Sequence, residues 1–301
     1  MPSVLTKECR MNIKKYQISD MHVLFEYWEE IGESVPYFFP VSASKWQNCF
    51  LQDELDGERT FKELETYIAK ENGQVLGFIQ YGQPNFECDE SGQKYYNPHI
   101  GVIRHLYFEK GRNDIGDALL AKAEDYLAYF DNKYAFYHIL GMSCNAHHGK
   151  LHNSQSHVDQ LLRASGFQIE HENVYFVLDM TDTALIENSK LCFCSTCGSS
   201  EESFDVRMNT GIIGNAHIRY LNTPTDGYTR DTAYLTWIGV VEQHRSQGLG
   251  TEFLKLLVQY LLSKQYRYLH TDTANSNVCA KQFYKKLGFQ KEGYTRSYVQ
   301  A

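Results

Sequence analysis

The chain has 301 residues and a formal charge of −8, with 43% hydrophobic and 22% charged residues. That composition excludes a disordered chain, a collagen-like chain and a disulfide-dense miniature, and the length suits two domains of roughly 100–200 residues each. There is no run of about 18 uncharged apolar residues, so no membrane span is expected. The opening segment MPSVLTKECRMNIKK is basic but lacks the apolar stretch of a secretory leader, and a cytoplasmic location is the expectation.

The charge is uneven. Residues 181–301 hold 13 basic and 11 acidic side chains, and residues 1–180 hold 16 and 26. The acidic balance argues against duplex nucleic acid as a partner. It suits a chain whose second half meets an anion and whose first half offers carboxylates to a cation. The eight cysteines are mostly scattered, as reduced thiols would be.

In chain order, residues 12–18 read as a strand, with Ser19-Asp20 placed to cap a helix running to about Glu33. A second helix spans about Ser42 to Leu55. Residues 64–81 form a hairpin around Glu71-Asn72-Gly73. A strand at 99–108, a helix at 114–130, a buried strand at 134–140, a short helix at 158–164 and one long or two short strands at 168–180 complete the first half. The same order then returns: a hairpin at 204–220, a strand at 234–240, a helix at 249–263, a strand at 268–272, a helix at 278–287 and a final strand at 290–299. The boundary is placed near 181–190, giving domains 11–180 and 181–301.

Arg245-Ser-Gln247-Gly248-Leu249-Gly250 lies between a strand ending at Val240 and the helix that continues through Thr251. Glycines at such a turn let a backbone approach a bulky anion, and the free N–H groups of the helix start can hold a phosphate or pyrophosphate. No Lys-Ser/Thr follows, so it is not a P-loop. About thirty residues on, Asn277-Val-Cys-Ala280-Lys-Gln-Phe283-Tyr284-Lys-Lys-Leu-Gly288-Phe289 reads as a short helix closed by a glycine cap.

The two motifs together resemble the GNAT superfamily of acyl-CoA-dependent N-acyltransferases. Arg245, Gly248 and Gly250 match its pyrophosphate loop; Asn277, Ala280, Phe283, Tyr284, Gly288 and Phe289 match its second hallmark. The resemblance implies a mixed-sheet α/β fold in which the loop residues Val240, Arg245, Gln247, Gly248, Leu249, Gly250 and Thr251 bind acetyl-CoA. It also implies that Asn277 contacts the CoA arm and that Tyr284 protonates the leaving thiolate. No metal is implied.

The first half looks like a second, degenerate copy, as in the tandem arrangement of mycothiol synthase-like proteins. Asn113-Asp-Ile-Gly116-Asp-Ala118 stands where the loop is expected, and counting back from Gly166-Phe167 puts Leu162 at the tyrosine position and Gln155 at the asparagine position. The second copy is instead shortened at its N-terminal end, with no room for the two helices that wall an acceptor site. The first domain is therefore expected to be scaffold or to shape the acceptor pocket, and its aromatics Trp28, Tyr37, Phe38, Phe39 and Trp46 could line one. The family's strand glutamate is missing: Tyr234 stands near its position, with His217, His270, Asp272 and Glu242 as alternative bases acting through water.

His147, His148, His152 and His157, near Cys144, have the composition of a metal-ligand set, although surface loop histidines are the plainer reading. Cys192, Cys194 and Cys197 supply three thiols, one short of a closed zinc site, and read equally well as a strand. The expected function is acetyl transfer from acetyl-CoA to a small, cationic primary amine by direct attack in a ternary complex. Acylation of a protein amine, or CoA binding without turnover, are the alternatives. The protein is expected to be a monomer or homodimer.

Overall fold

Asn72-Gly73 supplies the two positive-φ residues (φ 52 and 87) that a tight hairpin requires, and the register closes on Glu71↔Gln74. Such local signals set the strands of a computed structural model that describes residues 11–300, apart from 56, 89–92, 145–148, 185, 199–200, 210 and 221–230. Among the described residues no helix is long and apolar enough to cross a membrane.

The described chain divides into two compact units. The first comprises residues 11–38, 43–171 and 296–300; the second comprises 39–42 and 172–295. The second unit thus begins before the boundary expected near 181–190, and the last residues of the chain return to the first unit.

In the first unit, β1 (Asn12–Lys15) is followed by helices α1 (Met21–Gly32) and α2 (Ala43–Gln52) and the ribbon β2 (Glu54–Leu55) and β3 (Glu58–Arg59). Strands β4 (Phe61–Glu71) and β5 (Gln74–Pro84) form the hairpin, and β6 (Glu87–Cys88) and β7 (Lys94–Tyr95) a second small ribbon. Then come β8 (Ile100–Phe108), α3 (Asn113–Leu127), β9 (Asn132–Ala135), the short β10 (Leu151–His152) and α4 (Ser156–Ala164). β1, β4, β5 and β8 are antiparallel neighbours, whereas β8 and β9 run parallel. The C-terminal strand lies antiparallel against β9, from Tyr298↔Ala135 to Gln300↔Lys133. It is held there by side chains: Tyr298 Oη donates to Asp159 at 2.7 Å, and Gln300 Nε2 to the Ser165 carbonyl at 2.7 Å.

The expected cap at Asp20 takes another form. Its carboxylate makes no cap bond to the following helix; it is buried between Lys14 and Lys70, each at 2.8 Å. The strand expected at 134–140 stops at Ala135, because Phe136 turns to φ +53. The aromatic set expected near an acceptor goes into packing: Trp28 stacks on Phe38 at 4.1 Å and Trp46 on Phe50 at 4.6 Å.

The second unit holds most of β11 (Gln168–Asp179), then β12 (Leu191–Cys197), β13 (Glu201–Met208), β14 (Gly211–Tyr220), β15 (Thr232–Val240), α5 (Leu249–Ser263), β16 (Tyr268–Ala274), α6 (Val278–Lys286) and the start of β17 (Gln290–Gln300). β12 to β15 form an antiparallel meander, β15 and β16 are parallel, and β11 closes the set antiparallel to β16. Phe204, Ile218, Leu235, Phe253, Leu257 and Leu269 lie in a core packed between this sheet and the helices. Only residues 198–200 join β12 to β13, where the first unit has two helices between β1 and β4. The expected shortening of the second copy is real, and it leaves the other face of its sheet without helices of that connection.

Two stability predictions follow from these contacts. A fragment of residues 182–301 lacks β11, whose Val174, Tyr175, Phe176 and Leu178 are at most 4% exposed. At about 1.5–3 kcal/mol per buried side chain, that loss is comparable to a typical net stability of roughly 5–15 kcal/mol. The fragment should show no cooperative unfolding by circular dichroism; a sigmoidal melt like that of the full chain would refute the partition. In the first unit, Arg104 is 1% exposed and its Nη2 lies 2.6 Å from Asp53 Oδ2. Asp53→Ala strands that guanidinium and should cost about 3–5 kcal/mol in denaturant titration; a cost under about 1 kcal/mol would show that the pair is not needed.

Candidate functional site: a parted strand pair and a glycine loop

β15 and β16 pair over only four residues each, Thr232–Leu235 with Tyr268–Thr271, and both strands then continue unpaired with each other, to Val240 and Ala274. A bulge lies at the point of parting. Ile218 faces Leu235 and His217 faces Trp237, so Thr236 is the extra residue that turns β15. The result is an opening in the sheet bordered by backbone N–H and C=O groups that the missing ladder would have used.

Side chains fix the closed end of this opening. Thr271 Oγ1 donates to the Leu235 carbonyl at 2.9 Å. The Tyr284 phenol is hydrogen-bonded to the Thr271 side chain and is 6% exposed, among Phe176, Phe283 and Phe289. Desolvation raises its pKa, the Thr271 contact works against the rise, and the Asp272 charge adds to it. Tyr284 therefore stays protonated through the neutral range, as a proton donor must.

Beyond Val240, eight residues lead to α5. Arg245 Nε donates back to the Val240 carbonyl at 2.9 Å, and Gln247 Nε2 to the Gln243 carbonyl at 3.1 Å. Gly248 caps α5 at φ +81 and offers no side chain to its first-turn N–H groups. A Cβ at Gly248 would meet nothing within 4 Å, and one at Gly250 would meet Phe283 no closer than 3.6 Å. Packing therefore does not demand Gly250, nor does its backbone. Leu249 packs on the core and Thr251 is half-buried in the first turn. The same Phe283 ring ties this loop to α6, bringing the two sequence motifs together. Asn277 starts α6 as its cap, its Oδ1 accepting from Ala280 N–H at 3.0 Å, so its side-chain oxygen already has a structural role.

The first unit has the same topology without the opening. β8 and β9 pair over Ile100–Ile103 and Asn132–Ala135, and the next residue, Arg104, fills the gap with bonds to the carbonyls of Leu140 and Cys49, both at 3.1 Å. Only four residues connect β8 to α3, and α3 begins at Asn113. Asn113 and Gly116 are thus in the helix rather than in a loop. Gly116 is there for packing, since a Cβ would fall 2.6 Å from the Phe108 ring. The connection's Arg112 is taken by Asp114 and Glu71, at 2.9 and 3.3 Å. The later helices do correspond: α4 and α6 are each nine residues long, with Gln155 and Asn277 at their N-cap positions, of which only Asn277 makes a cap bond, and are followed by Gly166 and Gly288 at φ +91 and +92. Leu162 holds the place of Tyr284.

On the helix-free side of the second sheet lies a polar group that the sequence motifs do not mark. His270 Nδ1 meets Tyr175 Oη at 2.9 Å, and Asn173 Nδ2 donates to Asp272 at 2.8 Å, on the same face as Tyr234. Burial pushes His270 down to about 4, so it is neutral at physiological pH. Nearer the sheet edge, His217 Nδ1 lies 3.0 Å from Glu201 Oε1 and 3.1 Å from Ser203 Oγ. Strand alternation is the only sequence signal for this set.

The histidine-rich stretch does not form a described metal site. His147 and His148 lie outside the described residues; His152 Nδ1 engages Ser154 at 2.9 Å and His157 Nε2 the Phe108 carbonyl at 2.7 Å. A different group in the first unit, His138, Glu170 and His171, has ligand atoms within 4.8 Å of one another. Cys192, Cys194 and Cys197 are exposed free thiols on β12.

Comparison with known proteins gives this geometry a family. The profile described as Acetyltransferase (GNAT) family matches residues 169–289. N-acetyltransferase 8B of Homo sapiens is 27% identical over 121 residues, covering 40% of this chain and 50% of that protein. The chain therefore spans about half the length of this curated relative. Two solved structures, each 11% identical, share the fold. A tandem GNAT protein from the clavulanic acid biosynthesis pathway has a TM-score of 0.63 over 96% of this chain and 98% of its own. A GCN5-related glucosamine N-acetyltransferase region of a fungal multi-domain β-N-acetylglucosaminidase has a TM-score of 0.64, over 98% of this chain and 38% of its own. Residues 169–289 thus carry the signature of the GNAT acetyltransferase family, and the chain as a whole has the fold of a tandem GNAT protein.

Proposed function

We propose that this protein transfers an acetyl group from acetyl-CoA to the primary amine of a small molecule, and that the second unit alone binds the CoA. The observation that carries this reading is the pairing of an open strand gap with Tyr284 at its closed end, against a first unit whose gap Arg104 fills. The pyrophosphate lies on the N–H groups of the Gly248–Thr251 turn beside Arg245, and the pantetheine arm adds to the free edge of β15 as a short strand would. Val240, Gln247, Leu249 and Asn277 border that path.

In the transfer, the amine nitrogen attacks the thioester carbonyl and a C–N bond forms. The carbonyl oxygen takes up charge against unpaired β15 N–H groups. The C–S bond then breaks, and the thiolate takes the Tyr284 phenolic proton. The amine proton goes to a base, and solvent reprotonates Tyr284. Acidic excess in residues 1–180 favours a cationic acceptor by long-range attraction, weakened by salt. None of the seven described cysteines is in a disulfide, which suits a reducing compartment such as the cytoplasm, where the protein acts as a monomer or homodimer.

Two experiments test this. Gly248→Val puts a β-branched side chain at φ +81 and over the turn's N–H groups, and should weaken acetyl-CoA binding at least tenfold in calorimetry. Unchanged affinity in a folded variant would remove the loop from the site. Tyr284→Phe keeps the ring contacts and removes the proton; kcat for CoA release against a panel of amines should fall by roughly 10²–10⁴-fold. A wild-type kcat with chemistry rate-limiting would reduce Tyr284 to a core residue.

A further inference from the structure

An amine that arrives as an ammonium must lose a proton before it can attack, and the two motifs contain no group to accept it. We propose that His217, oriented by Glu201, is that proton acceptor. The assignment rests on the acetyl-transfer reading and deepens it.

The geometry is that of an oriented base. Glu201 Oε1 lies 3.0 Å from His217 Nδ1, so the carboxylate accepts the Nδ1 proton and leaves the Nε2 lone pair available. Nε2 has no hydrogen-bond partner among the described residues. The two side chains are 31% and 33% exposed, so water reaches them and can carry a proton away. The dyad is fastened to the place where the sheet opens. Thr236, the bulge residue next after the last paired residue Leu235, donates to the His217 carbonyl at 3.2 Å and lies 3.3 Å from Glu201 Oε2. His217 therefore stands one strand away from the opening, about 4.8 Å in the pairing direction, within reach of the amine directly or through one water.

The competing bases are each otherwise engaged. His270 is buried and bonded to Tyr175. Asp272 already accepts from Asn173. Glu242 lies past the end of β15, in the turn that leads to the glycine loop. The titratable and charged groups that share the sheet face with His217 on its own and neighbouring strands are Glu201 and Asp205 from β13, Arg219 from β14 and Tyr234 from β15.

The proton balance closes. His217 Nε2 takes the ammonium proton and passes it to solvent, the C–N bond forms, the bonded nitrogen loses its second proton to His217, the C–S bond breaks, and Tyr284 supplies the thiol proton. His217 discharges to solvent, from which Tyr284 is recharged, so no other reactant is needed.

The test uses the full chain, acetyl-CoA and a panel of small amines. Acetyl-CoA affinity by calorimetry and the pH dependence of kcat/KM are measured for the wild type, His217→Ala, His217→Gln and Glu201→Gln. His217→Gln should bind acetyl-CoA within about twofold of wild type, lose roughly 10²–10⁴-fold in kcat, and lose the acid limb that reflects deprotonation of the imidazole. Glu201→Gln should bind acetyl-CoA within about twofold of wild type and lower kcat less than His217→Gln does, because the base remains but the carboxylate that orients it is gone. Added imidazole should restore part of the rate of His217→Ala. A His217→Gln enzyme with wild-type kcat and an intact acid limb overturns the assignment while leaving acetyl transfer standing. A wild-type chain that binds acetyl-CoA yet releases no CoA with any amine overturns the transfer reading, and this assignment with it.

Discussion

The separation of β15 from β16 after Leu235 and Thr271 is the constraint on which the second unit depends. A sheet that splits leaves main-chain donors and acceptors without partners, and a buried unpaired group is costly. The split is tolerable only if something else supplies the missing bonds. The bulge at Thr236 turns β15 away, the Thr271 hydroxyl caps the Leu235 carbonyl, and Tyr284 is hydrogen-bonded to Thr271 in turn. What remains open is a strand-shaped edge, which an extended amide-bearing chain satisfies as a further strand would.

The first unit meets the same topological fault with its own atoms. Arg104 follows the last paired residue of β8 and spends its donors on the carbonyls of Leu140 and Cys49 and on Asp53. The guanidinium does inside the protein what a ligand would do in the second unit, and its charge is neutralised at 2.6 Å by Asp53. Degeneracy of the first copy is thus more than loss of motif residues: the space has been taken, and the connection to the next helix has been cut to four residues.

How much of this was legible depended on whether the signal was local. Asn72-Gly73, Gly166 and Gly288 sit at positive φ where turns and helix ends require it, so the hairpin and both short helices could be read from sequence. Arg245 and Gly248 fell in the connection where expected, with Gly250 in the first turn of α5, and Leu162 stands at the position in α4 that Tyr284 has in α6. Counting identities misplaced the first copy's loop, because Gly116 is a packing glycine inside α3 that mimics a loop glycine by spacing alone. The strand arrangement was not legible either. That residues 298–300 pair with β9 is decided by contacts more than 130 residues apart, such as Tyr298 with Asp159. The histidines of 147–157 looked like a set because they are close in sequence. His138 and His171, which do approach each other, are far apart in it.

The two proton-bearing groups lie on opposite faces of the second sheet. Thr271 and Leu235 point toward the helices, where Tyr284 packs; His270, Asp272 and Tyr234 point the other way, as does the Glu201–His217 pair across the bulge. In the reaction proposed here, the amine must give up a proton on one side of the thioester carbonyl while the sulfur gains one on the other. An intact sheet could not host that chemistry, because its ladder would stand between donor and acceptor. A parted one can, since the reacting carbon occupies the gap itself. The lack of helices between β12 and β13 has the same logic: it leaves the amine-side face to polar residues, whereas the thiol-side face remains apolar and keeps Tyr284 protonated. The opening and the buried phenol are in this sense one device.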